Sequence, residues 1–185
     1  MEAFLVSTGL VALAEIGDKT QLLSLVLAAR FRKPWPIAFG ILVATLANHA
    51  LAGAAGAWLT TLLGPQVLRW LLAVSFIAMA AWMLVPDKLD EGEAKAPRLG
   101  VFGTTLVAFF LAEMGDKTQV ATVMLAARFP EWMVAVVLGT TLGMMIANVP
   151  VVWFGERATR KLPVRTVHVV SAIIFAALGV GALLY

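Results

Sequence analysis

The sequence predicts an all-α, polytopic membrane protein whose six transmembrane helices form two inverted three-helix repeats. Three observations predict it. Of 185 residues, 61% are hydrophobic and 14% charged, with a mean hydropathy of +0.92, outside the range of a soluble domain of this size. Apolar stretches run over residues 2–29, 36–63, 66–86, 101–127, 132–154 and 164–185, each of the roughly 20 residues or more that a helical crossing needs. Finally, the polar string A-E-I-G-D-K-T-Q at 14–21 recurs as A-E-M-G-D-K-T-Q at 112–119.

The first stretch carries Glu15, Asp18 and Lys19 and lacks a basic leader, which predicts a retained span and not a cleaved signal. The breaks are punctuated by Arg32-Lys33-Pro34, Gly64-Pro65, the polar run from Asp87 to Arg98, Pro130-Glu131, and Glu156 to Pro163. Trp35, Trp58, Trp70, Trp82, Trp132 and Trp153 fall near predicted helix ends, as interfacial rings do. The first, third and fifth loops hold Arg30, Arg32, Lys33, Lys88, Lys95, Arg98, Arg157, Arg160, Lys161 and Arg165, whereas the opposite side has Arg69 and Arg128. That asymmetry puts the three basic loops in the cytoplasm and both termini on the outer, periplasmic side. With its basic residues so placed, the net charge of +3 is a topology signal, and no nucleic-acid partner is expected. The absence of cysteine excludes thiolate metal sites, disulfides and thiol nucleophiles.

The repeat extends beyond the motif. L-A-A-R-F at 27–31 returns at 125–129, displaced by the same 98 residues as Glu15 and Glu113. Residues 1–86 and 101–185 therefore read as two three-helix copies, joined by a cytoplasmic linker at 87–100. An odd number of spans per copy inverts the second relative to the first, the plan of many secondary transporters, and brings helices 1 and 4 together at mid-membrane.

On continuous helices, Glu15, Asp18, Gln21 and Ser24 follow at intervals of three, as do Glu113, Asp116, Gln119 and Thr122, giving each copy a stripe of oxygen ligands. Such a charged residue at the centre of a membrane helix costs roughly 2.5 to 3.5 kcal/mol, so four carboxylates and two lysines would cost on the order of 15 to 20 kcal/mol if nothing neutralised them. Carboxylate, amide and hydroxyl oxygens suit hard divalent cations such as magnesium, calcium and manganese. Four carboxylates and two lysines sum to minus two, the charge that one such ion cancels. When the ion leaves, protons replace it and the group titrates as a coupled set. Glu15, Asp18, Glu113 and Asp116 are thus the candidate metal ligands, and no resident cofactor is called for.

Lys19 and Lys117 read as counter-ions, with gating or a proton relay as the alternative; i,i+4 locks of Glu15 with Lys19 and Glu113 with Lys117 are the inert reading. Gly17 and Gly115 read as points of close helix packing in preference to local unwinding. Thr20 and Thr118 are either extra ligands or bonded to their own helix backbone. Asn48 and Asn148, in the second helix of each copy, line the path or, as the favoured reading, bond between helices. His49 and His168 have no matching partners and read as ordinary polar contacts, Pro150 as a kink in helix 5. The acidic cluster Asp87, Asp90, Glu91 and Glu93 reads as a solvated linker.

The doubled E-I-G-D-K-T and E-M-G-D-K-T strings, in a six-span chain, resemble the family of cation–proton exchangers with a Glu-x-Gly-Asp-Lys-Thr/Ser signature in two copies. Its members include Golgi manganese/calcium transporters and a bacterial manganese exporter. The resemblance covers essentially the whole chain and implies Mn²⁺ export from the cytoplasm against protons. It further implies that Glu15, Asp18, Glu113 and Asp116 bind the cation, and that the chain resides in a bacterial inner membrane. Calcium or broad dication exchange and an uncoupled channel are the rivals within this fold. An intramembrane metal-dependent hydrolase is the rival of another class, but no nucleophile or general base stands beside the acids, and the chain reads as no enzyme.

Overall fold

The computed structural model describes residues 1–85, 99–159 and 163–184, all of whose regular structure is helical. The linker at 87–100, apart from Leu99 and Gly100, and with it the acidic cluster Asp87, Asp90, Glu91 and Glu93, lies outside the described residues, as do Arg160, Lys161 and Tyr185. Four of the six predicted stretches are single helices: α3 (Pro34–Leu62), α4 (Pro65–Trp82), α7 (Met133–Phe154) and α9 (Val164–Leu184). With the 3₁₀ turn Pro130–Trp132 that leads into α7, these are the four helices among the described residues long and apolar enough to cross a membrane. Pro34, Pro65 and Pro130 each open their element, where the missing N–H costs nothing. Pro150 lies inside α7 without ending it, and a short α8 (Glu156–Thr159) occupies the predicted fifth loop.

The first and fourth stretches depart from expectation. Each is two helices: α1 (Glu2–Glu15) and α2 (Lys19–Phe31), then α5 (Gly100–Glu113) and α6 (Lys117–Arg128). Ile16 and Met114 are extended at ψ 114° and 118°, Gly17 and Gly115 sit at φ +83° and +75°, and Asp18 and Asp116 are extended at ψ 167°. The continuous stripe of oxygens at three-residue intervals is therefore interrupted after each glutamate. Unwinding accounts for both glycines, and close packing bears on Gly17 as well, where a Cβ would strike the Val164 side chain. Nothing lies within 4 Å of a Cβ built on Gly115, so what the position requires is the left-handed backbone that glycine adopts freely at a helix C-terminus. Aspartate directly after it takes the N-cap position of the next helix in an extended conformation, its negative charge beside the positively polarised helix end.

The long helices set the directions of the broken ones. A Cβ on Gly139 would lie 2.6 Å from the Phe4 carbonyl oxygen and one on Gly143 2.6 Å from that of Thr8, so α1 runs alongside α7 in the same direction. Likewise a Cβ on Gly40 would lie 3.0 Å from the Phe102 carbonyl, and Asn48 Nδ2 donates to the Phe110 carbonyl at 3.3 Å, so α5 runs with α3. The start of α3 meets the end of α7, where the Trp35 and Trp153 rings stack edge to face at 5.2 Å, which makes α3 and α7 antiparallel. It follows that α1 and α5 run in opposite senses. Small residues on α3 and α7 permit these approaches, as between membrane helices generally.

α4 and α9 pack on each other through Phe76 and Phe175, with ring centroids 6.2 Å apart. Their apolar windows are 22% and 28% buried, against 56% for α3 and for the segment containing α7, so α3 and α7 are central and α4 and α9 peripheral. Arg32 and Lys33 line a cavity with residues at the end of α7, whereas Arg69 and Arg128 line another with Ala182. The first and fifth loops thus share one face, and the second and fourth share the face where α9 ends. All six tryptophans are exposed.

The two breaks differ in surroundings: a Cβ on Gly17 would strike the Val164 side chain, while Gly115 faces open space. Forcing an L-residue into the left-handed region costs roughly 1–2 kcal/mol. Gly115→Ala is therefore expected to lower unfolding stability in detergent by about that amount, and Gly17→Ala by clearly more, since the clash adds to the strain. Equal losses in denaturant titration would contradict the asymmetry.

Candidate cation site

The breaks place one carboxylate from the first half and two from the second at the centre of the bundle. Glu15 is the last residue of α1, Glu113 the last of α5, and Asp116 the residue that opens α6. One oxygen from each of these three acids lies within 4.8 Å of the other two, and the residues are 0%, 0% and 4% exposed. Both glutamates sit at helix C-termini, where the backbone carbonyls add partial negative charge and favour a cation.

The polar residues around them come in repeated pairs. Thr20 donates to Glu15 Oε2, and Thr118 donates to Glu113 Oε2 at 2.9 Å. Neither hydroxyl bonds its own helix backbone; each reaches back across the break to the carboxylate. Gln21 Oε1 accepts the Gly17 N–H at 3.0 Å and Gln119 Oε1 the Gly115 N–H at 2.6 Å, so both glutamines hold the unwound turn. Their amide groups then donate to the central helices, Gln21 to the Ala147 carbonyl at 3.1 Å and Gln119 to Asn48 Oδ1 at 2.6 Å. Both asparagines bond between helices. Asn148 accepts from Ser24 at 2.8 Å and donates to Glu15 Oε2 at 3.3 Å, while Thr122 donates to the Thr118 carbonyl at 2.7 Å.

The break removes the helical register that i,i+4 locks require. Lys19 Nζ lies 3.6 Å from Asp116 Oδ1, an ion pair between the two halves, and Lys117 Nζ donates to the Val85 carbonyl, beyond the end of α4, at 3.1 Å. Asp18, 1% exposed at the start of α2, is not a member of the three-acid group.

Two histidines read as ordinary contacts in the sequence stand at the site. His49, on α3, is fully buried with Nε2 3.8 Å from Glu113 Oε2. His168, on α9, places Nε2 2.8 Å from the Ile16 carbonyl at the first break. Neither falls in the repeated motif, and helix packing alone brings them there, so spacing along the chain held no signal for either.

Glu15 Oε1 and Glu113 Oε1 are buried with no hydrogen-bond partner among the described residues. Carboxylate oxygens so close together in an apolar interior require a cation or protons between them. The all-oxygen acid set fits a hard divalent ion.

Comparison with known proteins agrees with this chemistry. The family model described as "Divalent cation/proton antiporter GDT1" matches twice, over residues 3–91 and 101–185. A protein of Vibrio cholerae described as "Putative manganese exporter" is 51% identical over 175 residues, covering 95% of this chain and 87% of that protein. A GDT1-like protein of Synechocystis is 28% identical over 95% of this chain and 93% of its own length. GDT1-like protein 3 of Arabidopsis thaliana is 24% identical over 100% of this chain and 71% of its own length. No solved structure matches the chain significantly. With both halves matched and the paired motifs meeting at one buried cluster of acids, the chain belongs to the GDT1 family of divalent cation/proton antiporters.

Proposed function

We propose that this protein exports Mn²⁺ from the cytoplasm in exchange for protons, by alternating access at the cluster of Glu15, Glu113 and Asp116. The observation that carries the reading is the convergence of these acids from both halves within 4.8 Å. The likeness to the Vibrio cholerae protein favours manganese as the ion. Three ionised carboxylates beside the ammonium of Lys19 carry a net charge of minus two, which one dication neutralises; when it departs, charge balance in the low-dielectric interior draws in protons.

The opposite directions of α1 and α5, and the double match to the family model, support six spans in two inverted repeats, residues 1–86 and 101–185. Asp18 and Asp116 hold equivalent places in the two repeats, yet Asp116 alone belongs to the acid group. In this reading the two aspartates exchange roles as one repeat rocks against the other. The remaining polar side chains hold the breaks in shape; Lys19 neutralises the site and gates release. The first and fifth loops, being basic, face the cytoplasm of a bacterial inner membrane.

Everted membrane vesicles carrying a lumenal pH dye and a manganese indicator test the function. Mn²⁺ addition is expected to drive manganese uptake coupled to proton exit, and Glu15→Gln or Asp116→Asn to slow uptake on the order of 100-fold. Wild-type rates in both variants would remove the site. Uptake indifferent to collapse of the proton gradient would remove the antiport, and equal uptake of calcium would remove the selectivity.

Lys19→Gln is expected to tighten Mn²⁺ binding on the order of tenfold, corresponding to about 1.4 kcal/mol of relieved charge repulsion, while slowing turnover through slower release. Unchanged affinity by titration calorimetry would separate Lys19 from the site. For topology, alkaline phosphatase fused to the C-terminus is expected to be active, whereas a fusion in the first loop is expected to be inactive; the reverse result would invert the assignment.

A further inference from the structure

His49 is 0% exposed, and neither Nδ1 nor Nε2 has a hydrogen-bond partner among the described residues. Buried polar atoms are bonded in the large majority of cases, so an imidazole left with both nitrogens unsatisfied calls for a physical account. Its position supplies one. Nε2 lies 3.8 Å from Glu113 Oε2, too far for a hydrogen bond and close enough for both atoms to bind one ion. The other side chains bordering the acids are committed elsewhere: Thr20 and Thr118 donate to the glutamates, and Asn148 is held by Ser24 and Glu15.

We propose that His49 is a nitrogen ligand of the transported cation and that it sets the preference of the site for a transition-metal dication over calcium and magnesium. The inference rests on the reading of the three acids as the cation site. Calcium and magnesium take oxygen ligands and gain little from imidazole, whereas first-row transition dications accept it readily. His49 stands outside the group of three acids whose oxygens all lie within 4.8 Å of one another and borders it through Glu113. Once the ring closes on an ion held by the acids, three carboxylates and one imidazole hold Mn²⁺ while discounting the two alkaline-earth ions that cells contain in excess. The nitrogen comes from one repeat only. Aligning Asn48 with Asn148 places Val149 opposite His49, so the ligand set is asymmetric although the motif is doubled. A consequence is weak discrimination against Fe²⁺ and Co²⁺, which bind nitrogen ligands more tightly than Mn²⁺ does.

Pulsed electron paramagnetic resonance of the detergent-solubilised full chain with MnCl₂ tests the contact directly. The chain contains two histidines, His49 and His168, so assignment needs two variants. Bound Mn²⁺ is expected to show a ¹⁴N coupling that becomes a ¹⁵N coupling on histidine labelling, persists in His168→Gln and vanishes in His49→Gln. In competition binding, the Mn²⁺-over-Ca²⁺ preference is expected to fall about tenfold or more in His49→Gln. Mn²⁺ bound by the wild type without histidine nitrogen coupling would overturn this inference and leave the acid site standing. Coupling that survives His49→Gln, or an unchanged metal preference, would overturn it as well. If the wild type bound no Mn²⁺, the acid site itself would fall and the inference with it. Should His49→Gln fail to fold, the labelled wild type and His168→Gln still decide: loss of coupling in His168→Gln would assign the nitrogen to His168 and overturn the proposal.

Discussion

Mutual repulsion among three buried carboxylates is the constraint on which the rest of the molecule depends. Glu15, Glu113 and Asp116 bring oxygens within 4.8 Å of one another in an interior with almost no exposure to solvent. In a low dielectric that repulsion is large, and desolvation adds to it. The fold answers with compensating groups placed close by: the ammonium of Lys19 from the opposite half, the hydroxyls of Thr20 and Thr118, and the amide of Asn148. What they leave unsatisfied is one oxygen on each glutamate.

The helix breaks follow from the same constraint. An unbroken helix would turn Glu15 and Asp18 onto one face and cover its own carbonyls with hydrogen bonds. Breaking it after the glutamate exposes a negatively polarised helix end at the site and begins a new helix beneath the aspartate. Irregular backbone is tolerable at membrane depth only where other groups satisfy it. Gln21 and Gln119 do so for the two glycine N–H groups, and His168 for the Ile16 carbonyl. Because the glutamines are anchored on α7 and α3, each break is tied to the long helix of the opposite half. Movement of one half would therefore be felt at the other half's glycine.

The two breaks share a backbone but not an environment. The start of α9 closes over Gly17 through Val164 and His168, while Gly115 is exposed and has no such cover. Around the acids the difference recurs: Glu15 receives the Asn148 amide, whereas Glu113 faces the His49 ring. A doubled motif thus yields a site with two unlike walls. Sequence symmetry controls which groups are supplied twice; the neighbouring helices control what each copy meets.

Much of this was legible along the chain. Hydropathy located the outer ends of the helical stretches to within a few residues, though not the breaks inside the first and fourth, because a membrane helix must satisfy its own backbone and so keeps a simple apolar length. Charge and repetition singled out Glu15, Asp18, Glu113 and Asp116, of which three gather in the structure, since ionisable groups in apolar stretches are too costly to be incidental. Even the breaks had a local signature in the Gly-Asp step, a helix stop followed by a helix start, although helical periodicity argued for a continuous stripe. Which of the four acids gather at one point, that Lys19 pairs with Asp116 across the halves, and that His49 and His168 stand beside them were decided by tertiary structure alone. Those relations join residues on different helices, and they depend on crossing angles and depths set by Gly40, Gly139 and Gly143 against their neighbours. No spacing within a single helix encodes such distances. The sequence by itself determined the membrane setting, the repeated motif and the inventory of candidate ligands; packing determined which of them meet, because only packing can place two helix ends face to face.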